Sequence, residues 1–178
     1  MEVDIKLAES LIEALNHEET GILLWDKNDK LLFRNIHVEE RFLRLNVPFE
    51  IGKTFFDRIK AVRKRKLIPE KEIKKRIQNY KLAKSSKKPQ EMLVQGATSS
   101  RWIQIKDTLT PSGNILTLMT NVTKIVEQEE ERKRLVDAID NFPSPVLFWD
   151  ENDKLIIGNN KAIQLNKNLG IKKLKLKK

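Results

Sequence analysis

Leu11–Asn35 reads LIEALNHEETGILLWDKNDKLLFRN, and Leu135–Asn159 reads LVDAIDNFPSPVLFWDENDKLIIGN; the two align without a gap. Leu11, Ala14, Leu23, Trp25, Asp26, Asn28, Asp29, Lys30, Leu31 and Asn35 each meet the same residue at a constant offset of 124. That offset is too long for a solenoid unit, whose periods run roughly 20 to 50 residues, and suits one small domain. The stretch is therefore read as the opening of a duplicated module whose second copy is cut short. Within it, Ile22–Trp25 and Leu31–Phe33 are short apolar segments on either side of Asp26-Lys27-Asn28-Asp29-Lys30. Asn and Asp tolerate left-handed backbone and bond to nearby main chain, so this pattern predicts a β-hairpin. Asn35 follows, and Val38, Phe42 and Leu45 beyond it share one helical face, which places a helix N-cap at or beside Asn35.

Outward from this core, Ile5, Ala8, Leu11 or Ile12, and Leu15 fall three or four apart and predict a helix near Asp4–Glu18. Pro48 and Gly52 punctuate the chain before Phe55, Phe56 and Ile59, which supply a short helix. Pro69-Glu70-Lys71-Glu72 looks like the start of another, with acids at the positive end of the dipole and bases accumulating toward Lys84. Ile73, Ile77 and Tyr80 form its narrow apolar stripe. Three strands are expected near Glu91–Gln95, Trp102–Leu109 and Ile115–Val122, the last two joined by the turn Thr110-Pro111-Ser112-Gly113-Asn114. From Thr123 to Asn141 nothing breaks a helix. There Val122, Ile125, Glu129, Arg132, Val136 and Ile139 make a heptad seam with a polar middle, suited to weak pairing with a second copy. After Asn159 come Ala162, Ile163, Leu165 and Leu169, then lysine-rich sequence without further strands.

A chain of 178 residues has room for one domain or two small ones. The second copy, residues 135–178, alone carries too little apolar surface to fold without disulfides, a metal or a partner. With no cysteine there are no disulfides and no thiolate chemistry, which fits a reducing cytosol. No run of roughly 18 apolar residues exists, and the amino terminus is not a signal peptide, so a cytoplasmic protein without a transmembrane segment is expected. The net charge of +10 is unevenly spread. Fourteen Lys or Arg against Glu70 and Glu72 give Arg58–Lys88 a net of +12, and Lys172–Lys178 adds five bases, leaving an acidic body.

In this order, the residues resemble a PAS domain, the sensory module of bacterial signalling proteins. The matching pieces are Trp25-Asp26-Lys27-Asn28-Asp29-Lys30-Leu31, Asn35, Gly52-Lys53-Thr54-Phe55, Arg101-Trp102-Ile103-Gln104-Ile105 and Thr110–Ile115. Asn121-Val122-Thr123 sits where relatives commonly have Asp-Ile-Thr, with the acid missing. The resemblance implies an α+β fold, a five-stranded antiparallel sheet with flanking short helices, followed by a long signalling helix and a partial second PAS. The expected organisation is an N-terminal helix over residues 1–20, a PAS domain over 21–123, a linker helix over 124–141 and an incomplete second PAS over 142–178. It also implies a cavity between sheet and helices, which nominates Phe33, Phe42, Phe55, Ile77, Tyr80, Trp102 and Met119 as wall residues; the plainer expectation is that they fill the core.

Catalysis has little support, and no enzyme activity is expected. His17 and His37 stand in no metal or triad spacing. Relatives that hold haem use a histidine on a later helix, and none lies between Phe55 and Pro89; light-sensing flavin relatives need a cysteine. The cofactor is thus left unknown. Asp26, Asp29, Asp150 and Asp153 fit turn chemistry better than a calcium loop, which needs six or more oxygen ligands. The expected function is a sensory module that takes a small ligand or dimerises through helices 1–20 and 123–141. It relays a change along that second helix to an output outside these residues, a histidine kinase by analogy with relatives. Two alternatives are a basic PAS-like protein that binds nucleic acid or an anionic membrane, and an inactive truncated remnant. With one aromatic in the basic segment and no base-reading motif, nucleic acid is not the expected partner.

Overall fold

The computed structural model describes residues 5–45, 47, 50–96 and 100–168. Leu169 and the basic tail Lys172–Lys178 lie outside the described residues. The chain divides into two compact units, Met1–Thr123 and Lys124–Lys178.

The first unit runs α1 (Ile5–His17), β1 (Gly21–Trp25), β2 (Leu31–Arg34), α2 (Ile36–Arg44), α3 (Phe55–Lys64), α4 (Glu70–Ser86), β3 (Gln90–Gln95), β4 (Trp102–Leu109) and β5 (Ile115–Asn121). The strands form one antiparallel sheet in the order β2-β1-β5-β4-β3. The predicted hairpin forms as its chemistry demands. The Asp26 carboxylate accepts from the N–H groups of Asn28 and Lys30, both at 2.8 Å, and Asp29 adopts a left-handed φ of 66°. Gly21 opens β1 because a Cβ there would stand 2.9 Å from Val38 Cγ2. Asn35 caps α2, and Thr54 with Asp57 forms a capping box at α3.

The core lies on one side of the sheet. Leu23 and Trp25 of β1, Met92 of β3, Ile103 and Ile105 of β4, and Ile115 and Met119 of β5 alternate inward. Val38, Phe42, Phe55, Ile59, Val62, Ile73, Tyr80 and Ala83 from the three central helices close over them. The buried face of α4 is Ile73, Arg76, Tyr80 and Ala83, so an arginine occupies a place that apolar spacing alone assigned to Ile77, which is only half-buried.

The second unit contains α5, β6 (Leu147–Trp149), β7 (Leu155–Gly158) and α6 (Asn160–Asn168); α5 starts at Thr123 and ends at Asp140. Its hairpin pairs as the first one does, with the same register shift between the last two residues of the leading strand. Neither α1 nor α5 has a buried residue. No helix among the described residues is long and apolar enough to cross a membrane.

Candidate functional site

The interior of the first unit is not purely apolar. Arg76 on α4, Asp107 on β4 and Thr117 on β5 are 3%, 1% and 0% exposed, at the centre of the sheet–helix interface. Both terminal nitrogens of Arg76 donate to the two carboxylate oxygens of Asp107, Nη2 to Oδ1 at 2.9 Å. Thr117 Oγ1 donates to Asp107 Oδ1 at 2.6 Å and accepts from Trp25 Nε1 at 3.2 Å. A bidentate Arg–carboxylate pair in a dry core offsets its desolvation through good geometry and added hydrogen bonds, here the Thr117 hydroxyl on the carboxylate, while Arg76 Nε is buried without a hydrogen bond. The network joins β1, β4, β5 and α4 through side chains.

Aromatic rings enclose it. Phe55 and Tyr80 stack with centroids 3.8 Å apart, Trp25 meets both edge-on, and the Arg76 guanidinium lies 5.0 Å from the Phe55 centroid. A second buried guanidinium, that of Arg58, lies 4.5 Å over the Phe42 ring. Burial pulls the Arg58 pKa down to about 9; the Arg76 and Arg41 charges act in the same direction and Asp107 opposes them. Tyr80 donates to Asp29 Oδ1 at 2.9 Å, and Lys84 Nζ reaches the same oxygen at 2.6 Å. Burial, then that hydrogen bond, raises the Tyr80 pKa well above the usual phenol range, so the hydroxyl stays a donor.

Of the seven residues the sequence nominated, Phe42, Phe55, Tyr80 and Met119 meet in this core. Phe33 and Ile77 are half-buried, and Trp102 alternates out of the buried row Ile103, Ile105 and Asp107. The sequence reading missed Arg58, Arg76, Asp107 and Thr117. For three of them the signal was present: Asp107 shares the parity of Ile103 and Ile105, Thr117 that of Ile115 and Met119, and Arg76 lies between Ile73 and Tyr80 on one helical face. Among the described residues no group of His, Cys, Asp or Glu could hold a metal ion.

Trp102 instead marks the exit from the domain. Its carbonyl accepts from Val122 N–H at 2.9 Å, and its N–H donates to Thr123 Oγ1 at 2.9 Å. Thr123 Oγ1 in turn donates to Asn121 Oδ1 at 2.6 Å, and the same oxygen accepts from Thr123 N–H at 3.1 Å. An amide oxygen does here what a carboxylate would do, so the missing acid leaves the junction bonded. The first residue of α5 is thereby tied to both last strands.

The sequence model described as the PAS fold matches residues 15–130, well over half of the chain. Similar solved structures include the sensor region of a sensor histidine kinase, 14% identical, covering 59% of this chain and 40% of that one with a TM-score of 0.46. The phage VqmA–DPO complex is 15% identical over 78% of this chain and 62% of that one, with a TM-score of 0.47. The PAS domain of Bordetella pertussis BvgS is 16% identical over 77% of this chain and all of that one, with a TM-score of 0.43. The chain spans less than half the length of the sensor histidine kinase region it resembles. No curated protein sequence matches it. With the family's sequence model covering residues 15–130 and a five-stranded antiparallel sheet closed by helices in that span, the chain belongs to the PAS family of sensory signalling domains.

Proposed function

We propose that this protein is a sensory relay: the PAS core receives an input, and α5 carries the resulting change to an output outside these residues, a histidine kinase being the favoured class. The observation that carries the reading is the junction at Thr123, where the last two strands hold the first residue of a helix that buries none of its side chains. Such a helix leaves apolar residues of its seam open among the described residues: Ile125 is 66% exposed and Val136 41%. A seam interrupted by the Glu129–Arg132 ion pair packs weakly, and weak packing lets two arrangements lie close in energy. Pairing of two copies through α1 and α5 supplies the partner. Native mass spectrometry tests the reading. A dimer that falls to a monomer in the Ile125→Glu variant is expected, and a monomeric wild-type chain at micromolar concentration overturns the dimeric relay.

A second reading, polyanion binding, is supported by the basic segment's surface. Arg58 and Arg76 turn inward and Arg63 and Lys84 are ion-paired, but Lys64, Lys66, Lys71, Lys74, Lys75 and Lys81 stand exposed. Heparin retention that falls steeply with salt would favour it, because counterion release sets that slope.

A further inference from the structure

Within the first unit, the loop from α3 into α4 and the β3 edge of the sheet leave a cleft of about 890 Å³ between them. Leu67, Ile68 and Pro69 of the loop, Ile73 of α4, and Leu93 and Trp102 of the strands line it. That volume and apolar lining suit a small molecule. The cleft lies apart from the centre of the unit, where Trp25, Phe55 and Tyr80 pack against one another with none exposed. Glu72, half-buried, also lines the cleft. It stands third in α4, where a glutamate ordinarily reaches back to the main-chain N–H of the cap residue. The cap here is Pro69, which has no N–H, and among the described residues the Glu72 carboxylate joins no hydrogen bond or ion pair. Its neighbour Glu70 is instead held by two Arg63 nitrogens at 2.8 and 2.9 Å. The strand edge adds further polar groups. Gly96 N–H donates to the Arg101 carbonyl at 2.7 Å, so by antiparallel alternation Val94 and Met92 also bond toward β4, and the main-chain groups of Leu93 and Gln95 turn away from it. Asn79 on α4 already donates to the Glu91 carbonyl at 3.1 Å. Among the described residues the open edge is thus Leu93–Gln95, too short for an added strand and sufficient to orient a small molecule.

We infer that this edge cleft binds a small apolar molecule carrying a protonated amine, and that it is the input site of the relay. The ligand class follows from the walls. An ammonium group only donates hydrogen bonds, which matches the unpartnered Glu72 carboxylate and the open carbonyls of Leu93 and Gln95. A carboxylate on the ligand would meet Glu72 as a like charge. Trp102 packs an apolar body and attracts a cation to its ring face. Lys66 also borders the cleft, but it is exposed, so water weakens its repulsion of a bound amine more than it weakens the attraction of half-buried Glu72. The input role rests on the relay reading and is carried by Trp102. Its N–H donates to Thr123 Oγ1 and its carbonyl accepts from Val122 N–H, so a ligand that shifts Trp102 acts on the residue bonded to the first turn of α5.

Tryptamine, tryptophol and indoleacetate share one apolar body and differ in charge, so they serve as probes. Each is titrated into the full chain and followed by proton–nitrogen correlation NMR, in which the three tryptophans give separate indole signals. Tryptamine is expected to shift the Trp102 signal, leave that of buried Trp25 in place, and bind more tightly than tryptophol, with indoleacetate weakest. Glu72→Gln keeps the length of the side chain and should remove the advantage of the amine, about fivefold, while tryptophol binds as before. Circular dichroism checks that this variant folds. The Thr123 amide should move along the same saturation curve as Trp102. No shift of Trp102 at millimolar tryptamine, movement of Trp25 in its place, equal affinity for the three probes, or an amine preference that survives Glu72→Gln overturns the site. A Trp102 shift with a stationary Thr123 amide overturns the input role. A monomeric wild-type chain in native mass spectrometry removes the dimeric relay but leaves amine binding at Trp102 intact, so the two failures are told apart.

Discussion

Asn35 and Asn159, each fully buried, make the same four hydrogen bonds 124 residues apart. Asn35 Oδ1 accepts from Ile22 and Val38 N–H at 2.9 and 3.4 Å, and its Nδ2 donates to the carbonyls of Leu15 and Thr20 at 3.0 and 2.9 Å. Asn159 bonds Val146, Ala162, Ile139 and Ser144 in the same roles at 3.0, 2.9, 3.2 and 2.9 Å. One side chain thus joins an incoming helix, a hairpin and an outgoing helix. Asn16 and Asp140 repeat a further bond, to the N–H of Ile36 and of Asn160.

Asparagine is the residue this hub requires, since only an amide offers two acceptor and two donor sites in one plane. Asn35→Ala leaves buried main-chain groups unsatisfied and removes a cap, and is expected to destabilise the first unit by about 3 kcal/mol in urea unfolding. Asn35→Asp should cost at least as much, because its oxygen would face the carbonyls of Leu15 and Thr20. Asn159→Ala should instead speed amide exchange in the second unit alone.

Arg76 and Asp107 are expected to be strongly coupled. Removing one partner strands a buried charge, so Arg76→Met or Asp107→Asn should each cost about 3–5 kcal/mol. The double variant Arg76→Met/Asp107→Leu should recover much of that loss, and a double-mutant cycle by denaturant unfolding measures the recovery.

The α3 cap should titrate. The Thr54 hydroxyl, then the Thr54 main-chain N–H, hold the Asp57 carboxyl below its ordinary value of 3.8. A carboxyl lowered by folding contributes stability above its unfolded pKa and loses it as pH falls through the folded one. The stability gap between wild type and Asp57→Asn should therefore be full at neutral pH and close progressively below about pH 4, as read by urea unfolding at a series of pH values.

Thr123→Val keeps the shape of the junction but removes the hydroxyl that accepts from Trp102 and donates to Asn121. A loss of about 1 kcal/mol is expected, confined to the start of α5. Hydrogen exchange should show faster opening of the first turn of α5 with the core strands unchanged; uniform acceleration across the domain would mean the hydroxyl serves global stability rather than the junction.

Local chemistry made the order of elements legible. Turn asparagines and aspartates, the Asn35 cap, the strand alternation of Trp102–Leu109 and the spacing of Val38 and Phe42 act within a few residues, and the strands, helices and hairpin followed from them. The repeat likewise foretold a second hairpin with the same left-handed residue, Asp29 at φ 66° and Asp153 at φ 56°. What spacing could not supply was which polar side chains face inward together. Arg76, Asp107 and Thr117 come from three elements, and their pairing exists only once the sheet order brings β4 and β5 under α4. Trp25 and Trp149 show the limit most plainly. The sequence determined an identical hairpin around each, because hairpin chemistry is local; only the tertiary structure decided that one indole is buried and the other open, because burial depends on neighbours contributed from far along the chain.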